Sequence, residues 1–131
     1  MKKDKIYIDT SIVGGFFDVE FEYETKKLFK RLENQEVIFV ISDFFEKVYL
    51  TEEAKILGSK YVEERVVGET SIEDCFHIVL ATIENVDVLA SWNFKHIVNL
   101  QRIKGYNSVN IKNGYNLLEI RNPKDLINYE D

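Results

Sequence analysis

The sequence predicts an α/β fold, a three-layer α/β/α sandwich around a mostly parallel central sheet. Two observations carry that expectation. Short apolar runs of strand length, Ile6 to Ile8, Val37 to Ile41 and Asp87 to Ser91, alternate with amphipathic stretches of helical spacing. The run Val37-Ile38-Phe39-Val40-Ile41 is apolar throughout, which predicts burial on both faces, as in a parallel sheet.

In order along the chain, the first strand ends in Asp9-Thr10-Ser11, and Gly14-Gly15 then predicts a flexible turn. From Glu22 to about Asn34 a helix is expected. Phe21, Thr25, Leu28, Phe29 and Leu32 recur at helical spacing, with Lys26, Lys27, Lys30 and Arg31 outward. After Ile41, Ser42-Asp43 resembles a helix start, with Asp43 and Glu46 at capping-box spacing. Val48-Tyr49-Leu50 reads as extended, and Thr51-Glu52-Glu53-Ala54 as the acidic first turn of a helix. That helix carries Ala54, Leu57, Tyr61 and Val62 inward and is expected to end near Gly68. Ser71 caps the most apolar helix, whose core face is Cys75, Ile78, Val79, Thr82, Ile83 and Val86. Beyond the strand at Asp87 to Ser91, a short helical piece is expected from Asn93 to Val98. Val109-Asn110-Ile111 and Leu117-Leu118-Glu119-Ile120 read as late strands, and Asn122-Pro123 as a terminal helical turn. No repeat, low-complexity tract or linker interrupts the chain, so one domain over residues 1–131 is expected.

Composition narrows the class. With 131 residues, 45% hydrophobic and 31% charged, the chain reads as soluble and globular. No apolar run approaches the roughly 18 residues of a membrane span, and Met1-Lys2-Lys3-Asp4 leads into a strand rather than a signal peptide. The single Cys75 excludes an internal disulfide and points to a reducing cytoplasm. A net charge of -6 argues against a general nucleic-acid binder. Yet Val88 to Leu118 contains no Asp or Glu, while Lys95, Arg102, Lys104 and Lys112 stand in it. Such a segment offers local phosphate contacts, or is a solvated face.

Chemistry is sought first at the acids. Asp9 ends the first strand and Asp74 opens the most apolar helix. In a parallel α/β sheet, strand ends and the neighbouring helix ends converge on one crevice. Two carboxylates meeting there repel unless a cation lies between them, which predicts a divalent-metal site. The alternatives are that Asp9 caps a turn and that Asp74 answers its helix dipole. Thr10 and Ser11 are placed to orient the Asp9 carboxylate. His77, three residues beyond Asp74, is placed to share a metal with it, but reads rather as a packing or hydrogen-bonding residue, since two histidines and no cysteine pair argue against a structural zinc site. Ser91 and Asn93 emerge at the same sheet edge as Asp9, although Asn93 also suits a helix N-cap with Trp92 and Phe94 packed over the loop. No glycine phosphate loop follows the first strand, which disfavours a small-nucleotide-binding domain.

Three strings together carry a resemblance. Tyr7-Ile8-Asp9-Thr10-Ser11, with Gly14-Gly15 and Phe17-Asp18, is followed by Glu73-Asp74-Cys75-Phe76-His77-Ile78-Val79-Leu80-Ala81-Thr82. The third is Ser91-Trp92-Asn93-Phe94-Lys95-His96-Ile97-Val98-Asn99. From about Lys5 to Leu126 the chain resembles the PIN-domain family, in particular VapC-like toxin relatives. The resemblance implies a Rossmann-like fold and an endoribonuclease dependent on Mg²⁺ or Mn²⁺. Asp9 and Asp74 match the first and third family acids, and Asn93 falls where many members carry an aspartate. Relative to the family the chain is shortened between about residues 43 and 50. Glu46 is the nearest match to the second acid, with Asp43 behind it.

On this reading one or two ions held by Asp9, Asp74, Glu46 and the Asn93 carbonyl lower the pKa of water and stabilise charge on the phosphate. Ser91 supports, and Lys95, Arg102 and Lys104 are candidate phosphate contacts. The family implies an RNA substrate, a small antitoxin partner and a homodimer. The competing class is a catalytically weakened PIN-like domain that serves as a binding or assembly module, motivated by the shortened middle.

Overall fold

A computed structural model describes residues 3–41, 51–68 and 72–127, and for Ile41, Ile72, Glu73 and Asp74 the backbone alone. The readings placed on Ser42 to Leu50, Glu46 and Asp43 among them, and on the Ser71 cap lie outside the described residues.

Among the described residues four strands form one parallel sheet: β1 (Asp4–Ile8), β2 (Val37–Ile41), β3 (Val88–Ala90) and β4 (Glu119–Arg121). Their order is β2-β1-β3-β4. The helices among the described residues are α1 (Thr10–Gly14), α2 (Glu22–Glu33), α3 (Glu52–Glu63), α4 (Ile72–Ile83) and α5 (Leu100–Lys112). Short 3-10 turns lie at Gly15–Phe17 and Pro123–Leu126.

Strand alternation sorts the side chains into two cores. Tyr7, Leu89 and Ile120 face α3, α4 and α5, where they meet Leu57, Tyr61, Ile78, Val79, Tyr106 and Val109. Ile6, Ile8, Val88 and Ala90 face the opposite way, onto Ile12, Leu28 and Trp92. Helices thus cover both faces of the sheet, giving the three-layer Rossmann-like α/β/α sandwich.

Three local expectations need correction. Val109-Asn110-Ile111 is not a strand; it closes α5, a helix that sequence periodicity did not single out. Gly14-Gly15 is not a flexible turn, because both residues are helical with φ near -60°. Gly15 is required for proximity instead: a Cβ there would meet Thr25 Oγ1 at 2.4 Å and Trp92 Nε1 at 2.8 Å. Burial on both faces does not hold for all of β2, one of the two outer strands among those described, where Ile38 is 44% exposed. Two ends also shift. α3 stops at Glu63, because Arg65 takes a left-handed φ of 60° that breaks the helix before Gly68. Asn93 to Val98 forms a capped turn rather than a helix.

Candidate active site

β1 sends β2 to one side and β3 to the other, so the strand order reverses between β1 and β3. The crevice outside the carboxyl ends of two such strands is the usual binding position of open α/β sheets. Asp9 follows β1 and Ser91 follows β3, so both stand at that crevice.

Asp9 is 4% exposed and Ser91 fully buried. The backbone of Asp9 is extended (φ -88°, ψ 178°), and its carboxylate caps α1 by accepting the Ser11 N–H at 3.1 Å. The Ser11 hydroxyl donates to Oδ1 at 2.5 Å, and the Ser91 hydroxyl donates to Oδ2 at 2.5 Å. Each hydroxyl oxygen then accepts one backbone N–H: Ser11 Oγ that of Trp92 at 2.8 Å, Ser91 Oγ that of Asn93 at 2.9 Å. With both hydroxyl protons directed at Asp9, the 3.4 Å approach of the two serine oxygens carries no proton of its own.

The carboxylate therefore accepts three neutral donors and has no ion-pair partner among the described residues. A carboxylate offers about four acceptor positions. Among the described residues one position on Oδ2 remains open and no cation faces the carboxylate. An acid in that state, with hard oxygens around it, fits a hard divalent cation better than zinc or copper.

The chain places α4 to meet it. α4 runs into β3, so its first turn lies at the carboxyl edge of the sheet. Tyr7 Oη and His77 Nδ1 stand 3.1 Å apart and fix the level of helix against strand. Asp74 lies three residues before His77, about 4.5 Å of helix rise toward that edge. Asp9 lies two residues beyond Tyr7, about 6.5 Å of strand in the same direction. The backbone at Asp74 is thus brought to the edge that holds Asp9. Glu46 lies outside the described residues, and among those described no three His, Cys, Asp or Glu side chains gather at one point.

The remaining sequence candidates divide. Asn93 is half-buried beside Ser91, and its Oδ1 accepts the His96 N–H at 2.9 Å, so the amide oxygen caps the turn that follows. Thr10 stands exposed at the start of α1 and takes no part in holding Asp9, a role that falls to Ser11. Lys95 and Lys104 are exposed, whereas Arg102 is half-buried in the first turn of α5. His77 packs edge-on against Tyr7 at 5.8 Å between ring centroids, in line with the structural role read for it.

Two participants escaped sequence reasoning. Thr25 of α2 accepts the Trp92 indole N–H at 2.9 Å and so anchors the loop that carries Ser91 and Asn93. Arg65 shares a cavity with Arg102, and its isolated position after a helix gave no signal of that. Comparison with known proteins adds no neighbour: no family model, curated protein or solved structure matches the chain.

Proposed function

We propose that the chain is a metal-dependent endoribonuclease of the PIN-domain type, related to VapC-like toxins, that hydrolyses phosphodiester bonds of RNA. The observation that carries this reading is Asp9, a buried carboxylate at the topological switch point, held by Ser11 and Ser91 and lacking a cationic partner among the described residues. Burial of a charge costs several kcal/mol in order of magnitude unless a counter-charge approaches, and hydroxyl donors orient a carboxylate without neutralising it.

The residues that would hold Mg²⁺ or Mn²⁺ are Asp9, Asp74, Glu46 and Asn93. When bound, such an ion supplies acidification of water and stabilisation of charge on the phosphate. The chain's own part is positional. Ser11 and Ser91 fix both oxygens of Asp9, and the backbone N–H groups of Trp92 and Asn93 fix the two serines in turn. The Asn93 amide is held by its capping bond, and a carbonyl oxygen so engaged keeps a second lone pair. A small antitoxin and a second copy of the chain are the partners the reading implies, in a cytoplasmic setting.

The competing reading, a weakened domain that serves as an assembly module, draws on the same bonds, since a carboxylate that caps α1 has a structural use. Cleavage of single-stranded RNA with Mn²⁺ by wild type and by Asp9→Asn tests the first reading, and equal rates sink it. Calorimetric titration with Mn²⁺ separates the two: heat of binding lost in Asp9→Asn supports the nuclease, and none in either protein supports the module.

A further inference from the structure

Between the end of α3 and the start of α5 lies a cavity of about 480 Å³. Glu64, Arg65 and Val66 form one wall, and Asn99, Arg102 and Gly105 the other. The walls are closely built: a Cβ at Gly105 would meet Val66 Cγ1 at 2.8 Å, so only glycine lets α5 approach so near. The acid in the lining is already neutralised, because Glu64 Oε1 pairs with Lys112 Nζ at 2.6 Å. The two guanidinium groups have no such partner among the described residues. Arg102 Nη1 is buried with no hydrogen-bond acceptor among the described residues.

A buried donor left unsatisfied costs on the order of 1–3 kcal/mol, more when it is charged. Arg65 is exposed, so water solvates its charge and screens its repulsion of Arg102. The unsatisfied donor of Arg102 has no structural return within the described residues. Arg65 brings the second guanidinium from the left-handed position (φ 60°) that closes α3, where the Arg65 and Val66 N–H groups donate to Val62 O and Tyr61 O, each at 3.0 Å. An anion with several oxygens entering the cavity would accept from the guanidinium nitrogens that face it and lie between the two charges. Guanidinium forks fit phosphate in bidentate fashion, and the first turn of α5 brings no acidic side chain to oppose it.

We propose that this cavity is a phosphate-binding site, with Arg102 and Arg65 as its ligands. β3 leads into α5, so the start of α5 and the residues 64–66 that share its cavity lie toward the carboxyl edge of the sheet, where Asp9 stands. On the ribonuclease reading, and resting on it, the phosphate belongs to the RNA strand at a distance from the cleaved bond; the other source is a free phosphate or mononucleotide.

The test is titration of the full chain with inorganic phosphate in chelator-treated, metal-free buffer, followed by amide chemical shifts and calorimetry. Binding is expected in the millimolar range, with shifts centred on Asn99 to Gly105 and on Arg65. Arg102→Gln is expected to weaken it roughly tenfold or more, the loss of one charge-assisted contact. Arg65→Gly relieves the left-handed backbone, so it should unfold no more easily than wild type and still bind phosphate less well. Asp9→Asn should bind phosphate as wild type does, which keeps this outcome separate from the fate of the nuclease assignment. A short single-stranded RNA that displaces phosphate identifies the strand as its source; displacement by a mononucleotide but not by RNA identifies the free ligand. Equal phosphate affinity in wild type, Arg102→Gln and Arg65→Gly, shifts confined elsewhere, or no binding to wild type overturns the proposal.

Discussion

The indole N–H of Trp92 donates to Thr25 Oγ1 at 2.9 Å, across 67 residues of sequence, and so ties the loop after β3 to α2. The Thr25 hydroxyl proton is directed at Phe21 O at 2.7 Å, and the Phe21 ring stacks on Trp92 at 4.2 Å between centroids. Gly15 lies against this bond so closely that any side chain would enter it. Gly15→Ala should therefore break the Trp92–Thr25 contact and destabilise the fold by about 1–3 kcal/mol. Urea unfolding followed by the fluorescence of the single tryptophan reads both effects. Unchanged stability with an unchanged native spectrum would contradict the packing described.

Asp9 separates capping from chemistry. Asparagine is as good an N-cap as aspartate, so Asp9→Asn should keep stability to within about 1 kcal/mol while Mn²⁺ binding and RNA cleavage disappear. Ser91→Ala should do the reverse in the first respect. It strips a buried bond from Asp9 Oδ2 and leaves the Asn93 N–H without its acceptor, a loss of about 1–3 kcal/mol. Paired urea titrations of the two variants measure the contrast. A larger loss for Asp9→Asn than for Ser91→Ala would mark the carboxylate as a structural group.

How much of this was legible follows from where the information sits. β1, α2, β2, α4 and β3 show in the sequence because each buries a regular set of apolar residues, such as Cys75, Ile78, Val79 and Thr82 on α4. α5 stayed hidden because Gly105, Asn107 and Ser108 dilute its helical propensity and Val109 to Ile111 mimics a strand. Its signal was Ile103, Tyr106, Val109 and Asn110, spaced for one helix face. At the site, the position of Asp9 at a strand end was readable. The pairing of Ser91 with Asp9 across 82 residues is a tertiary fact that no local pattern encodes. The same holds for Gly15, whose reason is Trp92 and not a turn.

Asn110 is fully buried on α5 and joins two other elements. Its amide nitrogen donates to Thr82 Oγ1 of α4 at 3.2 Å, and its oxygen accepts the Tyr61 hydroxyl of α3. Asn110→Ala removes both bonds and opens a small cavity in the helical layer. The expected loss is about 2–4 kcal/mol, seen as a lower urea midpoint with an unchanged m-value. Asn110→Asp should also destabilise, because a carboxylate there has no proton to give Thr82 and would be charged in an apolar core. A neutral effect of either substitution would show that the three helices hold together without this link.

The same network predicts how the fold fails in alkali. Burial pushes the Tyr61 phenol well above its ordinary range, since the ionised form would lie in the core among Cys75 and Tyr106. Tyr115 is raised to about 12, first by burial and then by the Glu53 carboxylate that accepts its hydroxyl at 2.7 Å. A tyrosine whose folded pKa exceeds its unfolded value of 10.0 holds its proton in the native state after the unfolded chain has lost it. Stability is then fully present below pH 10 and is lost as pH rises toward the folded values. From Tyr61 alone the decline should be about 1.4 kcal/mol per pH unit above the unfolded pKa. Urea unfolding at about pH 9, 10 and 11 measures the slope. Tyr61→Phe should lower stability at neutral pH by removing its bond to Asn110, yet flatten the alkaline decline. An equal slope in wild type and Tyr61→Phe would place the alkaline sensitivity elsewhere in the chain.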